Sequence, residues 1–351
     1  MAGSTFGKVF KITTWGESHG KALGVIIDGC PAGLELSESD IQPFLDRRKP
    51  GQSEVTTQRN ESDEVEILSG VFEGKTTGTP ISMIIKNEDH NSNAYDELKD
   101  VYRPGHADLT YDAKYGFRDH KGGGRSSGRE TVARVCAGAI ASKILAKMNV
   151  SVCAYTKSIG DVMAETFDKD EIMNNAVYMP DSDAATKAIE LINEKRAEMD
   201  SVGGTIECIV DGCPKGIGEP VFDKLDANLA KAVMSIGSIK GVEIGSGFGA
   251  TFSTGSENNE SENAGGILGG ISNGEQIKLT AAVKPTPSIA QEQKTTDKDG
   301  NEVSIEINGR HDPVIAPRAC VVVESMVAIT LVDMLFENMS SKIDKVKDFY
   351  K

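Results

Sequence analysis

The sequence predicts an α+β fold built from two packed copies of one β-α-β module, and three observations predict it. Residues 24–48, GVIIDGCPAGLELSESDIQPFLDRR, and residues 207–235, ECIVDGCPKGIGEPVFDKLDANLAKAVMS, share one plan. Each has an apolar strand, the turn Asp-Gly-Cys-Pro-x-Gly, then an acidic helix. After each comes VEI with a Ser-Gly pair, in VEILSGVFEGKTTGTPISMII (65–85) and VEIGSGFGATFSTG (242–255). Each copy closes with an apolar helix, over 130–147 and 319–337. A D-G-x-P turn alone is ordinary, but chance would have to reproduce the whole order of elements. The expectation is a single domain of two diverged halves, about 1–150 and 205–340, each a sheet with helices on its outer face.

Between the copies, DSDAATKAIELINEKRAEMDSVGG (181–204) reads as an amphipathic helix started by Asp and stopped by Gly-Gly. STGSENNESENAGG and QEQKTTDKDGNEVSIEING read as polar loops. The chain has 351 residues, enough for a real core, and its 37 glycines with only 5% aromatics favour many turns and close backbone contacts. A net charge of -15 argues against a nucleic-acid partner, because phosphate neutralisation supplies most of such affinity. It leaves room for an anionic small molecule, since a local cationic pocket focuses its own field. The six cysteines (Cys30, Cys136, Cys153, Cys208, Cys213 and Cys320) are scattered, with no C-x-x-C and no His at metal-ligand spacing, so buried free thiols are expected. The N-terminus has no apolar signal core, and no run approaches membrane-spanning length. A cytoplasmic protein without a membrane partner is expected.

Two of five histidines stand in glycine-framed turns: His19 in TWGESHGKALG and His106 in YRPGHADLTYDAKYG. Glycines around Glu17-Ser18-His19 allow a tight turn that exposes the side chains. Pro104-Gly105 projects His106 beside Arg103 and Asp108. An imidazole beside a bound phosphate is suited to protonating it as it leaves. His311 lies in INGRHDPVIAPRAC between Arg310 and Asp312, where Asp312 is either a turn carboxylate or a base; His90 and His120 are expected to face solvent. In KYGFRDHKGGGRSSGRET, three glycines precede Arg125, Ser126, Ser127 and Arg129 at the start of an apolar helix. Positive charge at a helix N-terminus is unfavourable unless an anion compensates it, so this is read as an anion site. Further cation clusters hold Arg47, Arg48, Lys49 and Arg59, and Lys284 with Thr286 and Ser288. Neither a Rossmann nor a P-loop glycine pattern is present.

In order along nearly the whole chain, GESHG, DRRKPGQS, TTQR, SGVFEGKTTGTPI, RPGHAD, GGGRSSGRET, GVEIGSGF, AGGILGGISNG, KPTPSI and GRHDP resemble the chorismate synthase family. The resemblance implies a β-α-β sandwich with internal pseudo-twofold symmetry, assembled as a homotetramer. It implies an FMN-dependent lyase that converts 5-enolpyruvylshikimate 3-phosphate to chorismate and phosphate by anti-1,4-elimination, closing the shikimate pathway. The flavin must be reduced although no net redox change occurs. It also implies roles: His19 at the reduced flavin, His106 protonating the departing phosphate, and Asp312 acting in removal of the C6 proton. Arg48, with Arg47, would bind substrate anions or NADP. Arg125, Ser126, Ser127, Gly237, Ser238, Gly269, Lys284, Pro285, Thr286, Pro287, Ser288 and Arg310 would line the FMN site.

This chain departs from the family at Glu54, where many members carry Arg, and at Glu262 and Asn263, where Asn and His are common. A metal-dependent phosphatase would need a carboxylate cluster that the sequence does not show. A binding protein without catalysis leaves the framed histidines and Asp312 unexplained. NADPH as reductant is left open, with an external supply of reduced flavin favoured because no reductase segment is visible.

Overall fold

The computed structural model describes residues 3–51, 61–88, 99–307 and 312–351. Its strands are β1 (Thr5–Phe6), β2 (Lys11–Gly16), β3 (Ala22–Asp28), β4 (Val65–Ser69), β5 (Val71–Phe72), β6 (Lys75–Thr76), β7 (Ile81–Lys86), β8 (Ser151–Ile159), β9 (Val162–Met163), β10 (Gly204–Asp211), β11 (Ile239–Ile244), β12 (Ile267–Leu268), β13 (Ile271–Ser272), β14 (Ile277–Val283), β15 (Glu292–Thr296) and β16 (Glu302–Glu306). The helices are α1 (Glu38–Arg48), α2 (Asp108–Tyr115), α3 (Thr131–Ala146), α4 (Ser182–Ala197), α5 (Leu225–Met234), α6 (Gly255–Asn258), α7 (Ala316–Asn338) and α8 (Ile343–Phe349).

One antiparallel sheet runs β1-β2-β3-β7-β4 and the other β9-β8-β10-β14-β11. The second order repeats the first over four strands, β2-β3-β7-β4 and β8-β10-β14-β11, with α1 matched by α5, α3 by α7, and the hairpin β5-β6 by β12-β13; the outer strands differ, since β1 precedes β2 in the chain and β9 follows β8. The two strands flanking α1 do not pair with each other; β7 lies between them, as β14 lies between β10 and β11. The repetition reaches single atoms. Thr76 Oγ1 donates to Pro31 O at 2.6 Å, and Ser272 Oγ donates to Pro214 O at 2.6 Å. Gly33 N donates to Thr76 O at 2.8 Å, and Gly216 N to Ser272 O at 2.9 Å. Gly29 and Gly212, in the two Asp-Gly-Cys-Pro turns, have φ of 83° and 77°, and a Cβ on either would strike the chain entering the neighbouring strand. The second sheet also takes β8 and β9, which lie before residue 205.

The helices do not lie on outer faces as the sequence suggested. α3 packs on β2, β3 and β7, α7 packs on β8 and β10, and α3 packs on α7, so the helices form a middle layer between the sheets. The reason is visible in composition: α3 and α7 are apolar around most of their circumference, and a helix of that kind must be covered on every side. α7 is also long and apolar enough to cross a membrane, contrary to the expectation that no run approached that length. Of its apolar window, 89% is buried inside the protein, making it the central core helix.

Local signals fix several boundaries. Ser37 and Asp40 form a capping box at α1, whose last turn carries Arg47 and Arg48 where the helix dipole favours cations. Asp181 caps α4 through Ala184 N at 3.0 Å, as read from the sequence. The segment read as a polar loop, 291–309, instead contains the hairpin β15-β16, whose half-buried residues alternate. All six cysteines are free, and burial pushes the Cys320 thiol up to about 12 and the Cys30 thiol up to about 11.

Candidate active site

The triglycine stretch lies between the two glycine-framed histidines. A Cβ on Gly122 (φ 67°) would fall on the His19 ring, and one on Gly123 (φ 86°) would sit 2.9 Å from His106 Cε1 and 3.2 Å from Nε2. Only a bare backbone with left-handed φ fits there. Ser18, fully buried, donates to Gly122 O at 3.3 Å and lies 3.2 Å from His19 Nδ1. Arg125 folds back on the end of β2, donating to Thr14 Oγ1 at 2.7 Å and Gly16 O at 3.2 Å. Ser126 Oγ donates to Gly123 O at 2.7 Å, closing the loop on itself.

The helix start is less direct than the sequence suggested. Two 3-10 turns, Gly124–Ser126 and Gly128–Glu130, precede α3, and Ser127 accepts from Arg129 N at 3.3 Å. Arg129 is not offered to a ligand. It is 5% exposed and pairs with Asp63, with Glu61 at 3.4 Å, while its Nε donates to Asn87 Oδ1 at 3.0 Å. The anion compensating this helix start therefore comes from the chain itself. Asn87 in turn donates to Glu17 O at 3.1 Å and Gly20 O at 2.7 Å, clamping both ends of the His19 turn. Burial alone would raise the Asp63 carboxyl; the Arg48 and Arg129 guanidiniums override it and hold it below the usual range.

His106 projects from the turn before α2. Its Nδ1 lies 2.9 Å from Asp108 Oδ1. Asp108 is 3% exposed and also accepts from Arg103 Nε at 2.8 Å and Nη2 at 2.8 Å. Burial would raise this carboxyl, yet its hydrogen bonds from Arg103 and His106 drive it far below the usual range. Lys284 Nζ donates to Gly105 O at 2.7 Å, joining the KPTPS segment to the His106 turn. Burial, then the neighbouring Lys240, pulls the Lys284 ammonium below its ordinary value. The backbone of Lys284 donates to Ser238 O at 3.0 Å, which brings Gly237-Ser238 to the same place; Ser238 has a φ of 73°.

Thr286 Oγ1 donates to Asp312 O at 2.7 Å, the Asp312 carboxylate pairs with Arg318, and Arg318 Nε donates to Arg48 O at 3.1 Å. Arg48 is 2% exposed and donates to Asp63 Oδ2 at 2.7 Å. These contacts close into a ring: His19, the triglycine loop, His106, Lys284, Thr286, Asp312, Arg318, Arg48, Asp63, Arg129, Asn87 and back to the His19 turn. Pro285 Cδ lies 3.1 Å from where a Cβ of Gly203 would be and Pro287 Cβ 3.1 Å from where a Cβ of Gly105 would be, and Ser288 is buried.

Three expected residues stand differently. Arg47 gives both terminal nitrogens to Glu324 of α7, at 2.9 and 3.0 Å. Gly269 lies in the β12-β13 turn beside Gly270, whose carbonyl accepts from Leu225 N at the start of α5, whereas Gly237-Ser238 follows the end of that helix. A ten-residue helix separates them, about 15 Å. Arg310 lies outside the described residues, as do His311, Arg59, Glu54 and His90. His120 is half-buried and not simply solvent-facing; it lines a cavity of about 650 Å³ with Lys99, Tyr102, Arg118 and Lys298. The sequence reading missed Asp63, Glu61 and Asn87, whose only signal is a cluster of acids beside an apolar strand.

Comparison with known proteins agrees in every direction. The family model described as chorismate synthase matches residues 10–336. The chain is 57% identical to the chorismate synthase of Agathobacter rectalis over 100% of both chains. It is 53% identical to that of Chloroflexus aurantiacus over 98% of both. A crystal structure of chorismate synthase matches with a TM-score of 0.75 at 30% identity, over 98% of this chain and 97% of the other.

Proposed function

The chain belongs to the chorismate synthase family, a family of shikimate-pathway lyases that use reduced FMN and act on a small phosphorylated substrate, and we propose how its own residues divide that work. The observation that carries the reading is the closed ring of contacts around His19, His106 and Asp312. The substrate is 5-enolpyruvylshikimate 3-phosphate, and the reaction is an anti-1,4-elimination. His106 turns Nε2 toward Gly123 and protonates the leaving phosphate. Asp312, oriented by Arg318, takes the C6 proton. His19, held by Ser18 and by the Asn87 clamp on its turn, stabilises the charge of the flavin.

The donor set fits FMN. Gly122 and Gly123 let the His19 and His106 rings close against bare backbone, while Arg125, Ser126, Ser127, Lys284, Thr286 and Ser288 offer cations and hydroxyls suited to a phosphate and a polar ring edge. When bound, reduced FMN supplies the electron density that phosphate departure requires. Arg48, 2% exposed and paired with Asp63 as Arg129 is, acts on the substrate anion, or on NADPH as reductant, through the charge it adds behind the site. We assign Arg47 to the Glu324 pair instead. The protein works in the cytoplasm and as a homotetramer; Phe248 and Phe252, 74% and 91% exposed in the turn 247–252, offer apolar surface for a contact between chains. A sedimentation run returning four chains per particle would support it; monomers would reject it. The reaction is tested by anaerobic mixing with substrate and either reduced or oxidised FMN. Equal yields of chorismate and phosphate with reduced flavin alone are expected. No product with reduced flavin bound would overturn the reading.

A further inference from the structure

We propose that Asp108 is a positioning residue for the elimination. It holds a proton on His106 Nδ1, so that the cationic ring gives its Nε2 proton to the leaving phosphate and is left as the neutral Nδ1–H tautomer. The inference rests on the assignment of His106 as the group that protonates phosphate.

The geometry makes two competing claims on one nitrogen. Asp108 Oδ1 lies 2.9 Å from His106 Nδ1, and Arg103 Nη2 lies 3.0 Å from the same atom. If Nδ1 were bare, its lone pair would face a full carboxylate charge with no proton between them. If Nδ1 carries the proton, it donates to Asp108, and Arg103 Nη2 is already engaged with that same Oδ1 at 2.8 Å. The second arrangement leaves no pair of acceptors in contact. Asp108 itself cannot turn away. Its Oδ2 accepts Arg103 N at 3.1 Å and Arg103 Nε at 2.8 Å, and Arg118 Nε stands 3.8 Å from Oδ1. Placed in the first turn of α2, it also meets the favourable end of the helix dipole.

The groups facing the imidazole are therefore Asp108 and Arg103 on its own segment, Arg118 behind them, and Ser126 near Gly123 on the triglycine loop, with Lys284 reaching the adjoining Gly105 carbonyl. Of these only Asp108 is anionic. An amide in its place would give its oxygen to Arg103 and turn its NH2 group onto Nδ1, which forces the proton to Nε2. A neutral ring with its proton there neither accepts a proton at the site nor readily gives one up.

The test begins with the unaltered protein, labelled with 15N at histidine. The signals of the neutral His106 ring should be those of protonation at Nδ1; protonation at Nε2 overturns the proposal. Asp108→Asn should reverse the tautomer and lower single-turnover phosphate release about 100-fold, within the usual range for a general acid. In a His106→Ala background the same change should add less than about 2-fold, as residues acting as one unit do. A full additional loss there means that Asp108 acts through the fold and sinks the proposal. Should His106 prove dispensable for release while the tautomer result holds, it is the catalytic assignment that fails and not the pairing.

Discussion

Gly123 shows how a single residue ties backbone conformation to chemistry. Its φ of 86° costs any other residue about 1–2 kcal/mol, and its missing Cβ leaves space 3.2 Å from His106 Nε2. Gly123→Ala should therefore lower kcat about 100-fold, the usual effect of a displaced catalytic group, while the unfolding midpoint falls only a few degrees. A loss of stability without a loss of kcat would mean the loop has no part in the site. Asp63 works differently, as the anion shared by Arg48 and Arg129. Its folded carboxyl lies below the value of about 3.9 expected in the unfolded chain, so its contribution is fully present above about pH 4 and lost as pH falls through the folded value. Asp63→Asn should cost about 3 kcal/mol at pH 7 in urea unfolding, with the gap from the parent narrowing in acid. An equal gap at pH 7 and pH 3 would contradict that.

At the scale of elements, α3 and α7 meet where Gly138 faces Ser325, so closely that a Cβ on Gly138 would overlap the Ser325 side chain. Gly138→Ala gains about 1 kcal/mol of helix propensity, yet the helices must separate, and a net loss of 1–3 kcal/mol is expected from overpacking, at about the usual size. Calorimetry showing a raised midpoint would refute the close crossing. Arg47 lies at the end of α1, 21% exposed, against Glu324, 7% exposed. Arg47→Ala should cost about 3 kcal/mol of stability and leave KM unchanged; a raised KM at unchanged stability would return Arg47 to the substrate. Much of this level was legible in the sequence. The duplicated Asp-Gly-Cys-Pro turns, the Asp181 cap and the two apolar helices were read with nearly their observed bounds. What could not be read was placement. Two buried acids of α7, Glu324 and Asp333, sit in an apolar run with no local partner, because Glu324 meets Arg47 and Asp333 meets the N–H groups of Lys8, Val9 and Phe10 from far along the chain. For the same reason the sequence could suggest helices outside the sheets when they lie between them.

Across the whole molecule, a net charge of -15 coexists with a site for a polyanion. The two are compatible because the cations lie close together while the acids among them are already engaged: Asp63 with Arg48 and Arg129, Asp108 with Arg103, and Asp312 with Arg318. Arg125 and Lys284 have only hydroxyl and carbonyl partners among the described hydrogen bonds. The candidate residues were named from short motifs, but the ring that joins them needs both halves of the fold, which is why Asn87 and Asp63 had no signature of their own. The central claim is that His106 carries the proton that lets phosphate leave. The most direct measurement is anaerobic single-turnover phosphate release with reduced FMN, comparing the parent with His106→Ala at equal flavin occupancy. The account predicts release slowed by about 100-fold or more with substrate still bound; release at the parent's rate would contradict it.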